Sequence, residues 1–290
     1  MKTNRPIAEL IRARTSWRAY LSSPIEQAKK QRLREEMDSV AAAAPFGTRL
    51  RFELIELPEL APEALRALGT YGFIKGARYF LAGTAGEGDR RFEDYGFALE
   101  SLILLATDLG LGTCWLGGSF SNSAFASQLR AGPGERVPAV SPVGYPTGQR
   151  AMRDRLIRFV AGSKARRRWD ELFFSEQPGR PLTPEEAGPF AEVLELVRLA
   201  PSASNKQPWR IVRARGGEAF HLLLERTPGY NEGFSRFGKA DLQRLDMGIA
   251  LCHFELAASE AGLRGGWSTE EPGFGLPAGS AHVATWSPVG

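Results

Sequence analysis

The chain has 290 residues, 43% hydrophobic and 24% charged, an ordinary globular composition with room for one large domain or two of usual size. A net charge of +4 is modest for that length, and much of the excess sits in "RAMRDRLIRFVAGSKARRRW" (150–169), which reads as a solvated linker helix with no groove-reading motif, so no nucleic-acid partner is expected. No secretory signal opens the chain, Glu100 and Asp108 interrupt its greasiest segment, and Cys114 and Cys252 lie far apart in apolar runs, which argues for a reduced, cytoplasmic protein without a membrane span.

From the N-terminus, the amphipathic "IAELIRA" runs into "RTSWRAY" (14–20). This is either a helix end with its charges in solvent, or a hydroxyl, Ser16, between two guanidiniums, Arg14 and Arg18, suited to a phosphate or an anionic ring edge. "RLRFELIEL" (49–57) and "ARYFLAG" (77–83) read as strands. "AGTAGEG" (82–88) lacks the glycine spacing of a dinucleotide loop and reads as a flexible connection. The segment 94–115 reads as a long buried helix with Ala98, Leu102, Leu105 and Leu109 on one face, Leu99 and Ile103 beside it, and Gly110 and Gly112 as its stop.

Past the basic segment, "TPEE" (183–186) has the form of a capping box with Pro184 first in the helix, and Pro189 marks a start or kink of the helix bearing Val193, Leu194 and Val197. "APSASNKQPW" (200–209) then connects that helix to the strand "WRIVRA" (209–214), and "AFHLLLE" (219–225) is a further strand. Two hydroxyls, two amides and a rigid aromatic crowd this one loop. In "TPGYNEGFSRFGKADLQ" (227–243), Tyr230, Phe234 and Phe237 form either a mobile cover or satellite packing. His221, His253 and His282 are dispersed without metal spacing, and His253 falls within a buried helical pattern as a packed side chain. With no Ser-His-Asp or paired-carboxylate arrangement, no metal is expected and the chemistry falls to an organic cofactor.

The chain also repeats itself. "DYGFALESLILLATDLGLGTCW" (94–115) and "DMGIALCHFELAASEAGLRGGW" (246–267) agree at nine of 22 positions with a constant offset of 152: Asp94, Gly96, Ala98, Leu99, Leu104, Ala106, Gly110, Leu111 and Trp115 recur as Asp246, Gly248, Ala250, Leu251, Leu256, Ala258, Gly262, Leu263 and Trp267. "SPVG" at 141–144 returns at 287–290. Two echoes in the same order imply a duplicated unit, with halves at 1–160 and 161–290, and an α+β fold in which two related halves pack as a pseudo-twofold dimer around long central helices.

"RTSWRAY" resembles the Arg-x-Ser-x-Arg element of the FMN-dependent nitroreductase family, and "APSASNKQPW" resembles its Ala-Pro-Ser-x-x-Asn-x-Gln-Pro-Trp signature. "GLGTCWLGG" (110–118) and "PVGYPTGQR" (142–150) are similar to its two later motifs. In that family two subunits build each FMN site. Here the first half has "AAAAPFGTRLRFE" in place of the amide-rich loop, and the second has "SEQPGRPLTPEE" in place of Arg-x-Ser-x-Arg, so the losses are complementary. The resemblance implies a single-chain, internally duplicated member with one FMN per chain, monomeric as a pseudo-dimer or weakly homo-oligomeric. It implies that Arg14, Ser16 and Arg150 hold the phosphate, that Ser202, Ser204 and Asn205 meet the flavin with Gln207 supporting, and that Thr15 and Pro201 also belong to the cofactor site. Arg18 would tune the N1/O2 edge, and Gly117 and Gly118 would let backbone N–H groups reach the ring. No residue is expected to act as a dedicated acid or base. The implied activity is electron transfer from NAD(P)H to a small acceptor such as a nitroaromatic or a quinone; the rival reading is a flavin-binding sensor or FMN-sequestering protein without turnover.

Overall fold

Two antiparallel arrangements share one strand order. In a computed structural model, which describes all residues except 58–73, 119, 148–164, 218, 231–239 and 290, the first half carries β1 (Leu50–Glu56), β2 (Tyr79–Ala85), β3 (Gly112–Thr113) and β4 (Val140–Gly144) in the order β1-β2-β4-β3. The second half carries β6 (Trp209–Arg213), β7 (Phe220–Glu225), β8 (Gly265–Ser268) and β9 (Ser280–Pro288) in the order β6-β7-β9-β8. β5 (Phe173–Ser175) is added in parallel at the β6 edge. The first "SPVG" lies within β4, and the second begins in the equivalent strand, with Ser287 and Pro288 as the last residues of β9.

A long helix links β2 to β3 in the first half and β7 to β8 in the second: α3 (Arg91–Asp108) and α7 (Leu242–Glu260). The remaining α-helices among the described residues are α1 (Ile7–Ala13), α2 (Gln27–Ala42), α4 (Asn122–Gln128), α5 (Pro184–Ala187) and α6 (Ala191–Arg198). Both long helices are apolar nearly all round, so each must be covered on most sides, and they cover one another at the centre of the molecule. They end alike. Gly110 and Gly262 both have φ +74°, with the N–H groups of Gly110 and Leu111 bonding to Thr107 and Ala106, and those of Gly262 and Leu263 to Ser259 and Ala258. That is a Schellman cap, which an L side chain at the left-handed position would strain. Gly112 is not part of the stop; it starts β3 beneath Trp17.

The offset of 152 is visible at the contact between the helices. Glu100 and His253 touch, with Oε1 3.1 Å from Nε2, and their mates Cys252 and Ser101 touch as well, with Sγ 3.3 Å from Oγ. One pair maps onto the other across a pseudo-twofold axis. Asp108 accepts the N–H groups of Asn4 and Arg5, and its mate Glu260 accepts those of Ile7 and Ala8, so the N-terminal segment is gripped by the ends of both helices. Residues cross between cores: Ile7, Leu10 and Ile11 of α1 pack with the second half, while Leu242 and Leu245 of α7 pack with the first.

Strand β2 lies two residues later than its sequence expectation, and "AGTA" (82–85) belongs to it rather than to a flexible connection. Gly83 is needed there because a Cβ would meet the Arg51 carbonyl at 2.5 Å. The capping box forms as expected, with Thr183 Oγ1 accepting the Glu186 N–H at 3.1 Å and Glu186 accepting that of Thr183 at 2.9 Å. The chain then breaks at Gly188, φ +57°, and a short 3-10 turn through Pro189 leads into α6. Both cysteines are buried free thiols. Among the described residues no helix is long and apolar enough to cross a membrane.

Candidate functional site

A cavity opens where the Arg14–Arg18 segment of the first half faces the 201–205 loop of the second. Arg14, Thr15, Ser16, Arg18, Gly117, Pro201, Ser202, Ser204 and Asn205, all singled out in the sequence, line it together. Gly118 and Gln207 lie outside the lining, and Arg150 lies outside the described residues. The segment is pinned by a parallel bridge from Ser16 to Thr113 and by the Trp17 N–H on the Thr113 carbonyl at 2.8 Å, which sets it beside the glycine-rich stretch. Gly117 is closely overlaid by α7: a Cβ would lie 2.5 Å from Leu242 Cδ2.

The opposing loop has an unusual backbone. Ser204, Asn205 and Gln207 have φ of +49°, +55° and +49°, a left-handed conformation that costs non-glycine residues about 1–3 kcal/mol each. Its surroundings enforce that shape. Asp246 accepts the Ala203 N–H at 2.9 Å, Ser202 Oγ accepts that of Gln207 at 2.9 Å, and Gln207 Oε1 accepts that of Arg167 at 2.8 Å. Trp209 is wholly buried behind it. Tyr230 bonds Ser204 through its hydroxyl, 3.0 Å away, which fixes the near end of the loop considered as a cover; Phe234 and Phe237 lie outside the described residues.

The cavity is strongly cationic. Arg14 is almost fully buried, and its Nε and Nη1 make no hydrogen bond. Arg166 reaches in from the basic segment, donating to Asn205 Oδ1 at 2.8 Å and to the Leu199 carbonyl at 3.1 Å. Desolvation, and next the charges of Arg14 and Arg198, push its pKa down to about 10. The reading of 150–169 as a solvated linker therefore fails at Arg166, because the half-buried amide of Asn205 and a helix-end carbonyl draw this guanidinium inward. Residues 150–164 lie outside the described residues. Nothing in the sequence near Arg166 signals this, since its partners are more than 30 positions away. On the far side Leu242, Leu245 and Ile249 form an apolar wall.

Asp246 is the acid of the lining, and burial holds its carboxyl well above the usual range. The unfolded carboxyl ionises near pH 4 or just below, whereas the folded one keeps its proton to higher pH. Stability is therefore lost as pH rises above about 4 toward the folded value. Asp246→Asn keeps an acceptor for Ala203 and is expected to flatten that part of a curve of Tm against pH; an unchanged slope would assign the dependence elsewhere.

The mate of the cavity across the pseudo-twofold is a shallow depression lined by Pro45, Phe46, Gly47, Thr48, Arg90, Arg244 and Trp267, among others. The positions of Leu242, Leu245 and Ile249 are taken there by Arg90, Glu93 and Phe97. Two N–H groups of its loop, those of Phe46 and Thr48, are bound by Asp94 at 2.8 Å each, and Arg244 is paired to Glu93 at 2.6 Å. His221 and His282 both contact Thr285 on the second sheet, away from either place. No group of three His, Cys, Asp or Glu suited to a metal occurs among the described residues.

The family model described as "Putative TM nitroreductase" matches residues 6–258. No curated protein matches the chain. A solved structure from Thermotoga maritima, also described as a nitroreductase of that kind, is 21% identical and is matched over 99% of this chain and 94% of its own, with a TM-score of 0.58, which shows a shared fold. An FMN-dependent nitroreductase from Clostridium difficile is 20% identical over 49% of this chain and 88% of its own, with a TM-score of 0.39. A Desulfovibrio desulfuricans protein with a similar description, solved in complex with FMN, is 23% identical over 52% of this chain and 95% of its own, also with a TM-score of 0.39.

Proposed function

The chain belongs to the TM nitroreductase family, and from that premise we propose that it is an FMN-dependent oxidoreductase passing two electrons from NAD(P)H to a small organic acceptor such as a nitroaromatic or a quinone. The observation that carries the reading is Arg14, a buried guanidinium with two N–H groups lacking acceptors, in a cavity shared with Arg18, Arg166 and Ser16. Glu100 Oε1, 3.6 Å from Arg14 Nε, balances the charge without accepting a hydrogen bond, so these two buried N–H groups remain to be satisfied by an anion. The phosphate of FMN is such an anion, and charge-assisted contacts to it are among the stronger hydrogen bonds.

In this reading Arg14, Thr15, Ser16 and Arg166 hold the phosphate, with Arg150 beside them as the sequence motif suggests. The loop from Pro201 to Asn205 meets the polar edge of the rings, supported by Gln207. Arg18 stands by the pyrimidine edge, where a fixed cation favours the negative charge that arrives with electrons. Leu242, Leu245 and Ile249 keep one wall dry, and Gly117 leaves room for close backbone approach. FMN, when bound, would supply the hydride chemistry between the nicotinamide and the acceptor. The two halves, 1–160 and 161–290, then act as one pseudo-dimer in solution, alone or weakly associated.

The purified protein should be yellow with flavin absorption bands, and it should oxidise NADH or NADPH steadily when a quinone is added. Apo protein that takes up no FMN would overturn the reading; flavin bound without turnover for either donor would leave a flavin-binding protein. Asn205→Ala removes the acceptor of Arg166 and the donor to the Ala165 carbonyl, 2.6 Å away. It is expected to weaken FMN binding about tenfold with little change in Tm, measured by quenching of flavin fluorescence. Equal affinity would remove Asn205 from the site.

A further inference from the structure

A buried cluster of Glu100, His253 and Trp115 lies behind the cavity, against Arg14. Glu100, on α3, is wholly buried, and its Oε2 accepts the indole N–H of Trp115 at 2.6 Å. Its Oε1 lies 3.1 Å from His253 Nε2 and 3.6 Å from Arg14 Nε. His253, on α7, is also wholly buried, with Nδ1 2.9 Å from the Leu196 carbonyl.

The carbonyl can only accept, so Nδ1 must carry a hydrogen. Nε2 then faces a carboxyl oxygen, and a bare lone pair against a carboxylate would be repulsive. The contact is thus a hydrogen bond, and the acid is anchored on two sides, by Trp115 from its own half and by His253 from the other. Its anchored oxygen is the carboxylate oxygen nearest to the guanidinium of Arg14 among the described salt bridges.

The mate of this pair across the pseudo-twofold is Cys252 with Ser101, which carries no ion pair. The charged version lies on the side of the cavity, and the neutral version on the side of the tied-down depression. Helix packing alone does not account for that difference, since both pairs occupy equivalent places at the same contact.

We infer that Glu100, anchored by His253 and Trp115, is a positioning residue that holds the Arg14 guanidinium in place for an anionic group of the ligand. The inference rests on the reading that Arg14 meets the phosphate of FMN. It follows that the second half contributes to the phosphate end of the site indirectly, through His253.

The test compares FMN with riboflavin, which has the same rings and no phosphate. Affinities of both are measured for the wild-type chain, Glu100→Gln, Arg14→Ala and the double variant, together with Tm of each apo protein. Glu100→Gln is expected to weaken FMN about tenfold, to leave riboflavin unchanged, and to have no further effect on FMN in the Arg14→Ala background. Equal losses for FMN and riboflavin, no loss for FMN, or a full loss persisting without Arg14 would overturn the inference. Should Glu100→Gln not fold, Glu100→Asp keeps the carboxyl but shortens its reach, and the same FMN-selective loss is expected. An Arg14→Ala variant that binds FMN as tightly as wild type would instead refute the Arg14 assignment itself, whatever Glu100 does.

Discussion

Titration of the apo protein with FMN is expected to saturate at one equivalent per chain. The cavity joins Arg14, Ser16 and Arg18 of one half to the 201–205 loop of the other, and its mate has neither set. There the apolar wall of Leu242 and Leu245 is replaced by Arg90 and Glu93, and the loop from Pro45 to Thr48 has two of its N–H groups committed to Asp94. Arg244 cannot stand in for Arg14, because it is held by Glu93 and by the carbonyl of Asp89. Charge-assisted hydrogen bonds contribute about 1.5–3 kcal/mol each, so losing several separates the two affinities by orders of magnitude. Isothermal calorimetry reads the count directly. Two equivalent flavins per chain would overturn the one-site reading while leaving the family intact.

The second large effect is structural. Gly248→Val is expected to abolish folding or to lower Tm by on the order of 10 °C or more. The long helices touch backbone to backbone at the two echoed glycines. A Cβ on Gly248 would lie 2.0 Å from the Glu93 carbonyl oxygen and 2.8 Å from the Phe97 nitrogen, and one on Gly96 would lie 2.3 Å from the Leu245 oxygen. These obstacles are main chain, so they cannot rotate aside, and relief requires the helices to separate. Separation would open the core on both sides and displace Leu242 and Asp246 from the cavity. Gly262→Ala is the matched control: no atom lies within 4 Å of its Cβ, so the substitution costs about 1 kcal/mol through the left-handed backbone alone. A Gly248→Val protein with the Tm of Gly262→Ala would show that the helices can move apart freely.

The parts of the fold legible in the sequence are those where burial demands a pattern. The helix at 94–115 and its echo at 246–267 show their apolar surfaces, their shared glycines and their identical caps, because an interior helix tolerates few alternatives. The loop at 200–209 is legible for the opposite reason, since Ser204, Asn205 and Gln207 are polar where the chain ought to be anonymous. Strands β4 and β9 are not announced, because the proline in each "SPVG" argues against a strand although each pairs on both sides. Strand β2 slips by two residues from its expected bounds because Gly83 looks like punctuation and is in fact a close approach to Arg51. Arg166 and Glu100 escape sequence reading altogether. What makes each matter is a partner far along the chain, Asn205 for one and His253 for the other, and neither spacing leaves a periodic trace.

The continuity of the chain across its pseudo-twofold has a kinetic and genetic consequence. A cavity built from two separate subunits dissolves on dilution, whereas here the partner surface is tethered, and its local concentration does not depend on how much protein is present. Specific activity should therefore stay constant down to very low enzyme levels. A substitution in a symmetric dimer is installed twice, once on each side of the axis. In this chain it is installed once, so a glutamate can face a histidine at 100 and 253 while a serine faces a cysteine at 101 and 252, a polarity that no pair of identical subunits can encode.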